Sequence, residues 1–248
     1  MLKTLKSLRL GAVLAAFAAP TLAETAHHWT YEGAEGPDHW AEVAEGAGAC
    51  AAGQEQSPIN LAGALPADAP DVTIGWASNT DWSVQNNGHT IQLNPAGDAG
   101  KITVDGKDYA LLQLHFHHPA EHAIGGMRSP MEAHFVHKAA DGALAVIGVM
   151  LVGGGQAGWM DKIMAVAPST PESVVWGMQD PRVLLPPDRN FFRYQGSLTT
   201  PPCSEVVLWT VLHQPVAVSD AALAAFAALY EMNARPLQPL NRRFLLTE

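Results

Sequence analysis

Between residues 72 and 216 the apolar side chains come in short β-prone runs set off by turn residues, with little of the three-to-four spacing of helices. The pattern predicts strands over Val72–Trp76, Trp82–Asn86, Thr90–Leu93, Lys101–Val104, Tyr109–His118, Glu132–His137, Leu144–Val152 and Val206–Val216. Asp105-Gly106 and Asp141-Gly142 read as hairpin-type turns, because Asp and Gly tolerate the positive φ such turns require. Helical spacing is confined to Gly158–Val166 and Ser219–Asn233. In the second, Leu223, Phe226, Leu229 and Tyr230 share a face, Ser219 is placed to cap the first turn, and Asp220 suits its positive end. Residues 24–53 have no period and read as an irregular arm over the body, and residues 62–72, rich in Ala, Pro and Asp, as a surface loop. No linker interrupts the pattern, which predicts one predominantly β domain with short peripheral helices.

Composition agrees with a folded body. Of 248 residues 48% are hydrophobic and 15% charged, which supplies a core and excludes disorder over most of the length. The first residues stand apart. Lys3, Lys6 and Arg9 precede the apolar run Leu10–Ala19, and Thr21-Leu22-Ala23 ends it with small residues at −3 and −1. This reads as a secretory signal peptide, residues 1–23, cleaved to leave a mature domain at 24–248; an uncleaved anchor is the alternative. Export to the periplasm or medium follows, with no membrane insertion of the mature chain. The formal charge is −10, and cleavage removes three cations and no anion. So acidic a surface excludes nucleic acid and anionic lipid as partners. In an exported chain the two cysteines, Cys50 and Cys203, suggest a disulfide; two buried thiols are the alternative.

The chemistry is concentrated in residues 109–137. On a strand Leu111, Gln113, His115 and His117 would share one face, and Leu112, Leu114 and Phe116 the other. The two imidazoles then lie about 7 Å apart along the strand, at ~3.4 Å per residue, close enough to hold one metal ion. In the next run Glu132, His134 and Val136 share a face, so that His134 could complete a three-histidine site. Three protein ligands with an open fourth position mark catalytic zinc, although imidazole also binds copper, nickel and iron. Gln113 and Glu132 each precede a candidate ligand by two residues and could accept its other N–H; for His117 a backbone carbonyl is required. His118 and His137 face the other way and read as structural or surface residues, as do His27, His28 and His39 in the arm.

These residues resemble the α-class carbonic anhydrases of the exported bacterial type. The landmarks run in family order through nearly the whole mature chain: Trp29-Thr30-Tyr31, Gly36-Pro37-Asp38-His39-Trp40, Gln56-Ser57-Pro58-Ile59-Asn60, Asn86-Asn87-Gly88-His89, Gln113 to His117, Glu121-His122, Met131-Glu132-Ala133-His134 and Ser197-Leu198-Thr199-Thr200-Pro201-Pro202-Cys203. The resemblance implies a broad, twisted, mostly antiparallel sheet of about ten strands. It also implies zinc on His115, His117 and His134, and reversible hydration of carbon dioxide to bicarbonate and a proton by attack of zinc-bound hydroxide.

By the same resemblance Thr199 accepts a hydrogen bond from that hydroxide and donates one to Glu121. His89 shuttles the proton, which an unperturbed imidazole suits; by its residues alone it reads first as a turn histidine after Asn-Gly, and the resemblance reverses that reading. Tyr31, Asn87 and Gln92 hold the connecting waters. Val136, Val146, Leu198, Val207 and Trp209 wall the substrate pocket, with Thr200 beside them, and the Asn233 carbonyl supports His117. Ser57-Pro58 and Pro201-Pro202 resemble the family's cis peptides. Leu114, Ala120 and Gln92 depart from its commoner residues. Exported bacterial members are often dimers, which leaves a homodimer as an expectation. The rival readings are a non-catalytic zinc- or carbohydrate-binding module on the same fold, and a zinc hydrolase acting mainly on esters.

Overall fold

The computed structural model describes residues 28–248, so the expected leader and its boundary after Ala23 lie outside the described residues. Its strands are β1 Asn60–Leu61, β2 Leu65–Pro66, β3 Val72–Trp76, β4 Thr80–Asn86, β5 Ile91–Pro95, β6 Gly100–Val104, β7 Lys107–His117 and β8 Ala123–Ile124. Then follow β9 Met131–Lys138, β10 Leu144–Val152, β11 Glu172–Gln179, β12 Phe191–Gly196, β13 Val207–Leu212, β14 Val216–Ala217 and β15 Leu246–Thr247. The helices are α1 Trp40–Val43, α2 Ala49–Ala52, α3 Trp159–Val166 and α4 Asp220–Leu229. Thirteen strands form one sheet, whose main path is β11-β4-β5-β7-β9-β10-β13-β12-β15-β2. Most neighbours pair antiparallel; β10–β13, β10–β14 and β15–β2 are parallel.

Turn chemistry explains the hairpin that delivers β7. Asp105 and Gly106 both take positive φ (49° and 73°), the conformation of a two-residue hairpin loop, and Val104 pairs with Lys107 across it. Asp141-Gly142 lies in a longer turn: only Gly142 is left-handed, and Ala139 N–H donates to Ala143 O.

The centre of the sheet is buried on both faces, so its strands show no exposed alternation. From β9, Met131, Ala133 and Phe135 enter the main core, which also takes Met160 and Ile163 of α3 and Phe226 of α4. Burying each such large apolar side chain contributes roughly 1.5–3 kcal/mol. Val136 of β9 faces the opposite way, into a second cluster with Val146, Val207 and Trp209. Glu132 and His134, buried on that second face, would be costly there without partners.

The structure corrects the expected facing of β7. The ladder to β9 shifts register between Leu111 and Gln113, and this bulge reverses the alternation. Leu111 joins Leu114 and Phe116 in the main core, while Leu112 is 43% exposed. Gln113, His115 and His117 keep the shared face expected of them, without Leu111.

Other departures have local causes. The run expected over residues 206–216 divides into β13 and β14. β11 and β12 were not predicted: β11 is a largely exposed edge strand, and Arg193, only 6% exposed, breaks the apolar pattern of β12. The helix expected to reach Asn233 ends at Leu229. Tyr230 leaves helical geometry, its hydroxyl donating to Asn86 Oδ1, and the chain bends at Glu231 so that Asn233 reaches β7. The start of that helix is as expected: Ser219 Oγ accepts from Ala222 N–H.

Residues 30–53 form the arm, with single helical turns in place of irregular coil. Cys50 of α2 and Cys203 are joined in a disulfide. Ser57-Pro58 and Pro201-Pro202 are cis, and so is His118-Pro119, which was not anticipated.

Candidate metal centre

Three imidazoles converge where β7 and β9 lie side by side. His115 is directly opposite His134 in the ladder, and His117 is two residues along. Ring centroids are 4.9 Å apart for His115–His117, 5.2 Å for His115–His134 and 4.6 Å for His117–His134. One ring nitrogen of each lies within 4.8 Å of those of the other two.

The remaining nitrogens are committed elsewhere. His115 Nδ1 is 2.8 Å from Gln113 Oε1, His117 Nδ1 is 2.7 Å from the Asn233 carbonyl, and His134 Nε2 is 2.9 Å from Glu132 Oε1. These acceptors fix ring orientation and leave Nε2 of His115 and His117, and Nδ1 of His134, facing one another. His134 Nε2 meets Glu132 Oε1 as a close ion-pair contact in poor hydrogen-bond alignment, and His117 Nε2 is buried with no hydrogen-bond partner. A buried unpaired ring nitrogen among two others is unfavourable for a protein alone and is satisfied by a metal ion. Three neutral nitrogen donors with an open side are the donor set of catalytic zinc.

Electrostatics favour the neutral form at His115 and His117. Burial, helped by the neighbouring imidazoles, holds His115 well below the usual histidine range, and burial lowers His117 too. For His134 burial works the same way, but the charge of Glu132 and its hydrogen bond outweigh it and raise the pKa. Glu132 is itself held well below the carboxylate range: burial opposes this, and His122 and His134 together overcome it.

Glu132 is the hub behind the metal face. Its Oε2 accepts the backbone N–H groups of Glu121 and His122 (2.9 Å each), and its Oε1 is 2.8 Å from His122 Nδ1. His122 Nε2 is 2.6 Å from the Tyr194 hydroxyl, which donates onward to Ser57 Oγ. His122, Glu132 and His134 also cluster at ligand spacing, but both His122 nitrogens already have partners, so this cluster is a support for His134. Room for the carboxylate comes from Gly148, opposite His134 on β10, where a Cβ would stand 2.8 Å from Glu132 Oε1.

Glu121 is fully buried, its Oε1 accepting from Arg235 N–H. Its Oε2 has no hydrogen-bond partner, so the expected donation from the Thr199 hydroxyl is not made in this structure; Thr199 is buried, 5% exposed. The open oxygen lies 3.5 Å from His117 Nε2. Val136, Val146, Val207 and Trp209 pack together with Leu198 against them. Register explains the grouping: Val146 is paired with Val136 on one side and Trp209 on the other.

Asn233 ties two parts of the site together. Its carbonyl meets His117, and its side-chain N–H groups donate to the carbonyls of His89 and Phe116, both at 3.0 Å. The His89 ring stacks on Trp29 (3.7 Å between centroids, 6° between planes), with the His28 ring 5.7 Å away. Burial, then the charge of His28, lowers the His89 pKa. Asn87 Nδ2 donates to Gln92 Oε1, and Gln92 pairs with His115 in the ladder. Tyr31 packs edge-on to Trp29. Thr200 O accepts from Cys203 N–H in the turn beyond Thr199.

Of the histidines set aside from the metal, His137 is buried, accepts from Trp76 Nε1, and is driven by burial down to about 3. His118 Nδ1 meets the Glu231 carbonyl. His122, Tyr194 and Arg235 were not foreseen as supports. Only the position of His122 next to Glu121 hinted at one, since the partners come from distant strands.

Comparison with known proteins agrees with this geometry. A family model described as eukaryotic-type carbonic anhydrase matches residues 35–248. A carbonic anhydrase of Neisseria gonorrhoeae is 36% identical over 247 residues, covering 98% of each chain. The structure of an α-carbonic anhydrase from Thermovibrio ammonificans, in complex with the inhibitor sulfanilamide, superposes with a TM-score of 0.84 at 41% identity, covering 89% of this chain and 99% of that one. Dioscorin DB3S of Dioscorea polystachya is 33% identical over 220 residues, covering 84% of this chain and 81% of that protein.

Proposed function

The chain belongs to the eukaryotic-type, α-class carbonic anhydrase family, and we propose that its three convergent histidines, its buried Thr199–Glu121 region and its rim histidine His89 divide that family's reaction among them. The protein is a zinc enzyme that reversibly hydrates carbon dioxide to bicarbonate and a proton. The observation that carries the assignment of ligands is the set of three inward ring nitrogens, each fixed by an outer acceptor.

His115, His117 and His134 hold the ion. Zinc there supplies the Lewis acidity that makes a water nucleophilic near neutral pH, chemistry for which carbonic anhydrases are the standing example. Carbon dioxide, which has no net dipole, rests against Val136, Val146, Leu198, Val207 and Trp209. The Thr199 hydroxyl orients the attacking oxygen, with Glu121 Oε2 as the open acceptor for its proton, and the Thr199 backbone N–H meets oxygen charge as it develops. Thr200 borders the pocket. His89 takes the released proton through waters held by Tyr31, Asn87 and Gln92.

Thr199→Ala should keep about one zinc per chain and lower kcat/KM roughly 100-fold or more, as loss of a transition-state donor does. Full activity in that variant would overturn the orienting role. His89→Ala should lower kcat in dilute buffer roughly tenfold or more, leave kcat/KM unchanged, and recover in imidazole buffer. Because burial and His28 depress the His89 pKa, its imidazole stays able to accept a proton as the pH falls through the ordinary histidine value of 6.5. The wild-type kcat should therefore hold below that pH before declining.

Stopped-flow hydration by the chain from Glu24 onward, with metal content measured on the same sample, tests the whole assignment. Fast turnover that is lost on chelation, restored by zinc and blocked by sulfanilamide supports it. A folded, zinc-loaded, inactive protein would favour a binding module, and turnover mainly of esters the hydrolase reading.

The leader-like residues 1–23 support export, to the periplasm or the medium, with cleavage after Ala23. N-terminal sequencing of the exported protein should read from Glu24. Among the described residues no helix is long and apolar enough to cross a membrane. A homodimer is the assembly to test by sedimentation.

A further inference from the structure

A cavity of about 780 Å³ lies between β12 and the C-terminal segment, and of the residues described above for the metal centre it shares only Tyr194. Its lining includes Arg193, Arg242, Arg243, Tyr194, Leu208 and Phe244. The chain has 24 Asp and Glu against 14 Lys and Arg, yet three arginines are among the residues that line this one space.

Two of these guanidinium groups are held by neutral acceptors. Arg193, 6% exposed, donates to Thr210 Oγ1 and the Pro70 carbonyl. Arg243 donates to the carbonyls of Leu240, Gln195, Gln56 and Pro239, and its guanidinium stands 5.5 Å from the centre of the Tyr194 ring. All these acceptors are neutral. Among the described residues the one arginine–carboxylate ion pair is Arg182–Asp180, outside the cavity. Glu55 is the single acidic residue in the lining, while Asp71, Glu205 and Glu248 act on these arginines from outside it. Of the three only Arg193 is buried, and a buried cation with no carboxylate at ion-pair distance is costly; Arg243 is half-buried and Arg242 exposed. Burial accordingly lowers the Arg193 pKa.

The rest of the lining is apolar where a ligand body would lie. Phe244 is 72% exposed at the edge, and the half-buried Leu208 and Leu246 add apolar surface beside it. The volume is that of a small-molecule site.

We infer that this cavity binds an amphipathic organic anion, a carboxylate or sulfonate on an apolar body, with the acid group toward the arginine side of the lining and the body against Phe244, Leu208 and Leu246. The site does not depend on the metal chemistry.

The test is a fluorescence titration of the zinc-loaded chain from Glu24 with 8-anilinonaphthalene-1-sulfonate, with sulfanilamide present to block the metal centre. The expected result is one saturable site whose affinity falls with added salt. Arg242→Ala and Phe244→Ala alter exposed side chains, so the fold should persist, as a thermal melt will verify. Each should weaken binding about fivefold or more, and the pair tenfold or more. Absence of saturable binding, equal affinity in the variants, or displacement of the probe by sulfanilamide would overturn the proposal. So would loss of the probe site on concentration-dependent dimerisation in sedimentation runs, which would make this face an interface between copies.

Discussion

Replacing His134 by alanine should abolish hydration and leave the purified protein with essentially no zinc after dialysis. His134 is buried, 1% exposed, between the other two ligands and the Glu132 hub. Its loss leaves two imidazoles, too few to complete a catalytic zinc site. Glu132 would keep its bonds to His122 and to two backbone N–H groups, so the carboxylate stays partnered and the fold should survive. Metal analysis, a thermal melt and stopped-flow assays on one preparation separate loss of metal from loss of fold. Glu132→Ala makes the graded comparison: all three ligands remain, and zinc affinity should fall about 10- to 100-fold. A His134→Ala protein that held stoichiometric zinc and turned over carbon dioxide would refute the ligand assignment.

Removing the disulfide should have the largest effect on stability. Cys50 and Cys203 are 153 residues apart in sequence, so the bond closes a loop spanning most of the described chain. Chain-entropy arithmetic puts its contribution at no more than about 5 kcal/mol. For a chain of this size that corresponds to a fall in melting temperature of about 10–20 °C. A double Cys50→Ser, Cys203→Ser variant should show it in calorimetry. The bond also ties the turn after Thr199 to the arm. That turn keeps other restraints, since Gln56 Nε2 donates to the Cys203 carbonyl, Cys203 N–H to the Thr200 carbonyl and Leu198 N–H to the Ser204 carbonyl. Activity well below the new melting temperature should therefore be largely retained. An unchanged melting temperature would mean that these bonds alone hold the arm.

How much was legible before the fold depended on the range of the interaction. Within β7 and β9 the spacing of two placed Gln113 beside His115 and Glu132 beside His134, because a strand repeats its facing every second residue. The need of His117 for a backbone carbonyl followed from the lack of a side-chain acceptor nearby. That this carbonyl belongs to Asn233, 116 positions away, came from family resemblance and not from any local rule. The facing of Leu111 was misread because a bulge changes the count by one and leaves no mark in composition. The overrun of α4 has a related cause: residues 230–233 suit a helix locally, and the bonds made by Tyr230 and Asn233 to other strands outweigh that tendency.

The order of residues alone was enough to read the class of fold, the central strands, the Asp105-Gly106 hairpin, the helix cap at Ser219 and the three histidines at metal-binding spacing. Each was read from spacing within a single run of residues, and His134 reaches His115 and His117 only through the pairing of β7 with β9. Chain folding was needed to set which nitrogen of each histidine faces its two neighbours, to bring His122 and Tyr194 behind Glu132, to place Gly148 where that carboxylate needs room, and to line one cavity with three arginines. The physical reason is that a buried polar group must find partners wherever the folded sheet supplies them, and those partners are set by which strands become neighbours.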